Sequence, residues 1–333
     1  MTATSATPAS PSTTPEPSGR RFSGLRLSTL RDYGIVIFLI ALIIALWVST
    51  DTFMTVNNIK NVIDGAVAVG LIACAGSIVI MAGGFDLSAW AIFAVAEIVG
   101  VKISNEASPL VGILVGILVG AGLGLINGLL TTVGRINHFV ATLGTMIAFG
   151  GMAVAISGSG LILVNDPSFA NIANTNVLGF HISSWVLVAI ALLCGFLLNW
   201  TVFGRHVFGT GGNLAAARLS GVPINRTLIA CYVLSGGVAA VAGLIVAARS
   251  LSVSATTGAN IIFDALAAIL IGGNSVFGGE GAIWRTMIGV AILAVISNGF
   301  NLLGVDPLYQ QIVSGTLIIV AVGLDAWVRR RSV

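Results

Sequence analysis

The sequence predicts an all-α polytopic integral membrane protein, and three observations carry that prediction. Of 333 residues, 56% are hydrophobic and 8% are charged, against about 25% charged in soluble domains. The mean hydropathy is +1.04. The apolar residues gather in ten runs, at 33–49, 62–82, 88–104, 109–133, 138–158, 183–203, 227–247, 263–279, 285–303 and 308–327, each near the ~20 residues that ~30 Å of hydrocarbon requires. The 42 glycines suit such a protein, because small residues let helix backbones approach closely in lipid.

Residues 1–19 hold four of the eight prolines among Ser, Thr and Ala, with too few large apolar side chains to offset the entropy of ordering. Arg20, Arg21, Arg26 and Arg31 follow. Residues 1–30 are therefore expected to form a disordered, basic cytoplasmic tail, and 31–333 one transmembrane domain. The run at 33–49 lacks the small-residue cleavage pattern of a signal peptide, so it is expected to be an uncleaved first span with its N-terminus inside. Ten spans return the C-terminus to the cytoplasm together with Arg329, Arg330 and Arg331. That arrangement puts twelve of the fifteen basic residues inside, as the positive-inside rule asks. Only Lys60, Lys102 and Arg249 fall outside.

The stretch 204–226, GRHVFGTGGNLAAARLSGVPINR, separates two spans and carries Arg205, Arg218 and Arg226 with no acidic residue, which assigns it to the cytoplasm. Gly204, Gly209, Gly211 and Gly212 are expected to break the incoming helix, Asn213 to cap a new one, and 214–220 to supply helix formers. This is a short surface helix or an ordinary loop, and a helix there is needed mainly where something in the cytoplasm pushes on it. On the other side, 159–181 contains Asn165, Asp166, Pro167, Asn171, Asn174 and Asn176, a composition for a lid or short surface elements. Asn127-Gly128 matches Asn298-Gly299 and Gly144-Thr145 matches Gly315-Thr316 at an offset of 171, and Phe85-Asp86 matches Phe263-Asp264 at 178. Five spans separate the copies, the pattern of an inverted repeat with a transport path between its halves.

A charge at the bilayer centre costs at least ~2.5–3.5 kcal/mol on insertion scales, so Asp64, Asp86, Glu97, Asp264 and Glu280 stand out. In AGGFDLSAW, Gly83-Gly84 break one helix, and Asp86 or Ser88 either caps the next, worth ~0.5–2 kcal/mol, or touches substrate. Asp264 opens its span in the same way. Glu97 sits mid-span without a basic neighbour; it faces a watery path or carries a proton. IGGNSVFGGEGAIWR (271–285) is expected to be a Gly-rich turn between spans. A P-loop needs its lysine after a GxxxxG run, and neither Lys60 nor Lys102 follows one, so ATP is not bound here by that mechanism. No Ser-His-Asp order exists, His138, His181 and His206 are scattered, and Cys74, Cys194 and Cys231 have no metal-ligand spacing. Neither a catalytic residue nor a metal site is assigned.

Five ordered segments resemble the permease subunits of bacterial ABC importers for simple sugars, the ribose-type family, which also contains branched-chain amino-acid permeases: GGFDLS (83–88), LINGLLTTVGRINHFVATLGTM (125–146), FGRHVFGTGGNLAAARLSGV (203–222), DALAAILIGGNSVFGGEG (264–281) and YQQIVSGTLIIVAV (309–322). The resemblance implies a multi-pass subunit of the bacterial inner membrane that dimerises with itself or a second permease. It implies that cytoplasmic ABC ATPase subunits use the ATP and Mg, that an extracytoplasmic protein delivers a sugar such as ribose, xylose or galactose, and that this chain binds no cofactor or nucleic acid and is not an enzyme. The loop corresponding to 209–221 is then the coupling helix. Asn213, Leu214, Ala216, Arg218, Leu219 and Gly221 would serve it, and Ala216→Pro would break its interior at a cost of ~3 kcal/mol or more. Asp86, Ser88, Asn127 and Asn298 are the candidates for the path, where hydroxyl and amide groups meet sugar hydroxyls. Arg249, the one external arginine, is the candidate for docking the binding protein. Two departures bear on the substrate: Ala89-Trp90 stands where the family usually has Val-Gly, and Glu97 where an apolar residue is expected. A branched-chain amino-acid permease and an ion-coupled transporter using Glu97 and Asp86 remain the alternatives.

Overall fold

The structure is a computed structural model that describes residues 27–306 and positions 308, 309, 312, 313, 315, 316, 319 and 323. The expected tail and the run at 308–327 lie mostly outside the described residues, and Arg329, Arg330 and Arg331 entirely so. The fold is helical: α1 Leu27–Ser49, α2 Val56–Met81, α3 Ala89–Glu106, α4 Pro109–Thr132 and α5 His138–Ser157, then α6 Asn171–Asn174, α7 Ile182–Trp200, α8 Val202–Gly212, α9 Leu214–Leu219, α10 Ile224–Ser250, α11 Ile261–Ile271 and α12 Ile283–Leu302. Among the described residues α2, α4, α5, α7, α10 and α12 are long and apolar enough to cross a membrane. Several starts are capped by the residue that the sequence places before them. Thr55 accepts from the Asn58 amide before α2, Ser108 from Val111 before the Pro109 that opens α4, and Asn137 from Phe139 before α5.

α3 is the hub. It carries Glu97, Lys102 and Glu106 and packs against α4, α5, α10 and α11, with Ala91, Ile92, Phe93, Ala94, Ala96, Ile98 and Val101 removed from the surface. Residues 91–98 are buried on every side of the helix, and a segment so apolar must be enclosed by others. Glycines set the spacing around it: a Cβ on Gly112 would run into the Gly100 carbonyl of α3, and one on Gly124 into the Tyr232 carbonyl of α10. Close backbone approach of this kind substitutes for the hydrophobic driving force that lipid does not supply.

Two expectations about helix ends are corrected. The run at 263–279 does not form a span of that length. α11 has 11 residues, about 16 Å of helix, and gives way to Gly272-Gly273, after which Gly273, Gly278 and Gly279 take left-handed φ values of 74°, 82° and 75°. Val276 and Phe277 prolong the apolar run past the helix end, but Gly272, Gly273, Asn274 and Ser275 turn the chain before them. Nor do the glycines at 204–212 break a helix. α7 ends at Trp200, Thr201 caps the next helix by accepting from the Gly204 amide, and all four glycines lie inside α8.

Two small antiparallel pairs close one end of the bundle. β1 (Ile162–Leu163) pairs with β4 (Ser252–Val253), and β2 (Asn176–Val177) with β3 (Phe180–His181). A 3₁₀ turn, Pro167–Ala170, follows β1. The segment 159–181 is thus a set of short surface elements, laid against the ends of α3 and α10. Asn105 both donates to the Leu163 carbonyl and accepts from the Asn165 amide, each at 2.9 Å.

Candidate functional site

At the opposite end of the bundle α9 lies on the surface. Asn213 caps it, its side chain accepting from the Ala216 amide at 3.0 Å. Its far end is closed by Gly221 at φ 77°, with the Val222 amide bonded back to the Ala217 carbonyl at 3.0 Å. Of its six residues only Ala217 is buried. Leu214 is 49% and Leu219 91% exposed, and Arg218 is exposed between them. Ala216 is the third residue of the helix, so proline there removes the cap bond and leaves the later bonds intact. Its expected cost falls from the ~3 kcal/mol of a helix interior to the ~0.5–2 kcal/mol of a lost cap.

α8 connects α9 to the core through a junction of glycine backbones. A Cβ on Gly211 would overlap the Met81 carbonyl at the end of α2 and lie 2.7 Å from the Gly279 amide. One on Gly279 would lie 2.5 Å from Gly212 Cα, and one on Gly278 2.9 Å from Gly83 Cα. The Gly279 amide also donates to the Met81 carbonyl at 2.9 Å. Three chain breaks therefore meet without intervening side chains: the α8–α9 corner, the α2–α3 break at Gly83, and the Gly-rich turn after α11.

The α2–α3 break leads into a buried polar network. Asp86 accepts from the Ser88 amide (3.0 Å) and hydroxyl (2.7 Å) through one oxygen and from the Ser235 hydroxyl of α10 (2.8 Å) through the other. Asn127 of α4 donates to Ser88 Oγ at 2.7 Å and accepts from Thr145 of α5 at 2.7 Å. The Phe85 carbonyl receives the Tyr232 hydroxyl at 3.0 Å and Thr142 at 3.2 Å, and His138 Nδ1 lies 3.0 Å from the Tyr232 oxygen. Ser88 is the residue before α3, but its side chain makes no cap bond because its hydroxyl is turned to Asp86. Three of the four predicted path residues are thus brought together, with Ser88 and Asn127 fully buried. In this conformation they are bonded to one another and close the break.

Asn298 is elsewhere. It forms a reciprocal amide pair with Asn58, at 2.9 and 2.8 Å, joining α12 to α2. Arg249 is not a free external charge either. Its guanidinium donates to the Asp64 backbone carbonyl and lies 3.8 Å from the Asp64 carboxylate, with 34% of its side chain exposed. The same carboxylate is 2.5 Å from His181 Nδ1 and accepts from Ser184 at 3.0 Å. Asp64 thereby ties α2 to the ends of α7 and α10. The sequence marked it only as an ionisable residue in a span, and its partners lie 117 to 185 positions away. Glu97 is fully buried, and neither carboxyl oxygen has a hydrogen-bond partner among the described residues.

A family model described as "Branched-chain amino acid transport system / permease component" matches residues 58–322. The ribose import permease protein RbsC of Escherichia coli (strain K12) is 33% identical over 318 residues, 94% of this chain and 98% of its own. RbsC of Bacillus subtilis (strain 168) is 36% identical over 299 residues, 89% and 93% of the two chains. The L-arabinose transport system permease protein AraH of Escherichia coli (strain K12) is 35% identical over 297 residues, 89% and 90%. No solved structure matches the chain.

Proposed function

The chain belongs to the family of branched-chain amino acid transport system permease components, and on that premise we propose that it is the membrane-spanning permease subunit of an ATP-driven importer for a simple sugar. The observation that carries the substrate class is the near full-length similarity to permeases named for ribose and L-arabinose. The cytoplasmic ATPase subunits hold ATP and Mg in this reading, and an extracytoplasmic binding protein supplies the sugar. The ten-span topology with both termini inside is part of the proposal. Within it, the placement of 204–226 and 159–181 on opposite sides of the membrane is supported by the grouping of α9, Gly83 and Gly279 at one end of the bundle and of β1 to β4 at the other.

α9 is the element that takes the push. Its exposed Leu214 and Leu219 fill a groove on the ATPase, Arg218 pairs with an acidic rim, and Asn213 and Gly221 fix its two ends. Motion passes through the Gly211–Gly279–Met81 junction to the α2–α3 break, where Asp86, Ser88 and Asn127 act as a gate: parting their bonds exposes carboxylate, hydroxyl and amide to the sugar. Asn298, held by Asn58, joins the path when α12 moves against α2. Arg249 offers the N–H groups not used by Asp64 to the binding protein. An inverted repeat fits the packing, since α3 lies on α4 as α11 lies on α12, and α4 on α10 as α12 on α2.

Reconstitution with its ATPase and binding protein tests the function. Uptake of ribose or arabinose should require ATP and survive an ionophore that collapses the proton gradient, and the permease alone should hydrolyse no ATP. Loss of uptake with the gradient, at constant ATP, would point to an ion-coupled transporter. The description of the family favours a second reading, a branched-chain amino-acid permease, and leucine uptake in place of sugar uptake would establish it.

A further inference from the structure

β2 and β3 pair Asn176 with His181 and Val177 with Phe180, which leaves Leu178-Gly179 as a two-residue turn. Both turn residues have positive φ, 52° and 88°. This is the hairpin geometry in which Asn or Asp is favoured at the first position, because a short polar side chain tolerates the left-handed backbone and is at home in water. Leu178 meets neither condition, and it is 84% exposed. An apolar residue in a disfavoured conformation at the tip of a hairpin calls for a surface that receives it.

The neighbouring helix indicates which surface. Trp185 of α7 donates its indole N–H to the Val177 carbonyl at 3.0 Å, so its ring lies beside β2. It begins an exposed apolar stripe along α7 that continues through Val188, Leu192, Phe196 and Trp200, on a helix long enough to span. The two tryptophans stand near the two ends of this helix, about 22 Å apart along the axis, and aromatic rings at the ends of a span gather at the bilayer interfaces. Trp185 therefore marks the interfacial depth at this end, and the hairpin bonded to its indole shares that depth. On the protein side the hairpin is held by the contact of His181 with Asp64.

We propose that the Asn176–His181 hairpin is a lipid-surface contact, with Leu178 and Val177 inserted into the interfacial layer of the bilayer beside Trp185. This sets the depth of the α7 end that joins the Asp64 cluster. The inference rests on the membrane-spanning fold alone and is independent of the transported substrate.

The test uses the full chain in phosphatidylcholine vesicles. Leu178→Cys is labelled with nitrobenzoxadiazole, while Cys74, Cys194 and Cys231 are buried and stay unlabelled. Ser168→Cys, on the exposed 3₁₀ turn, is the aqueous control. The label at 178 should be quenched by lipid carrying a doxyl group near the top of its acyl chain, and its quenching by iodide should be several-fold weaker than at 168. Leu178→Asn, which suits the turn, should keep the fold and lose the lipid quenching of Trp185 emission, measured as the difference from Trp185→Phe. Equal iodide quenching at 178 and 168 without lipid quenching would overturn the proposal. So would shielding at 178 that appears only when a binding protein is added.

Discussion

The two ends of this bundle are held by opposite means. At the α9 end, α2, α8 and the turn after α11 meet through glycine backbones, with Gly211 and Gly279 so close to Met81 and Gly212 that a Cβ has no room. At the far end α2, α7 and α10 are tied by side chains, with Asp64 receiving His181, Ser184 and Arg249. A backbone junction cannot stretch: displacing one segment displaces the others. Side-chain bonds can break and re-form around new rotamers. Under the proposed function, the difference suits an ATPase-facing end that transmits motion and an outer end that rearranges.

The largest effect is expected from a side chain placed in the glycine junction. Gly211→Val should separate α8 from the end of α2 and reduce ATP-driven uptake by at least about tenfold, the equivalent of ~1.4 kcal/mol, in protein that still inserts. Gly209→Ala is the control, since a Cβ there meets nothing within 4 Å. Equal uptake from both variants would show that the junction transmits nothing.

At the far end effects should be smaller. Asp64→Asn removes a charged acceptor from His181 and Ser184 and the negative charge facing Arg249, and should lower stability by about 1–3 kcal/mol, read as a lower Tm of the purified protein, with transport retained. Arg249→Gln loses the same cluster and also the external charge. If Arg249 docks the binding protein, its replacement should lower stimulation of ATP hydrolysis beyond what Asp64→Asn does. Matching stimulation in the two variants would confine Arg249 to holding α10 against α2.

The smallest effect is expected between α2 and α12. Each interhelical amide bond in lipid is worth about 0.6–2 kcal/mol, so Asn298→Leu should weaken uptake by taking from Asn58 its partner on α12 and leaving it only the Phe53 carbonyl. The double variant with Asn58→Leu should recover most of the stability that the single variant loses. Recovery of stability without recovery of uptake would return Asn298 to the path.

The sequence made the apolar helices legible because hydropathy reports burial in lipid or protein directly. α9 was legible too, through Asn213 before a run of helix formers. What stayed hidden depends on distance or on context. The half-length of α11 was masked because Val276 and Phe277 prolong the apolar run beyond the Gly272-Gly273 turn. Gly204 to Gly212 suggested a break because glycine is a poor helix former, whereas here its lack of a side chain makes the contact with α2. Asp86, Ser88 and Asn127 were visible together as candidates for the path, but Thr145 and Ser235 joined them only through the fold, with Ser235 149 positions from Asp86.

The most direct test lies at α9. Leu214 and Leu219 are exposed, so replacing both with Asp disturbs no buried contact. Copurification of the ATPase and ATP-driven sugar uptake should be measured on the same membranes. Insertion and Tm are expected to be unchanged, with the ATPase no longer retained and uptake lost. An ATPase retained at the wild-type level together with normal uptake would contradict the assignment of α9 as the point where the partner pushes on the bundle.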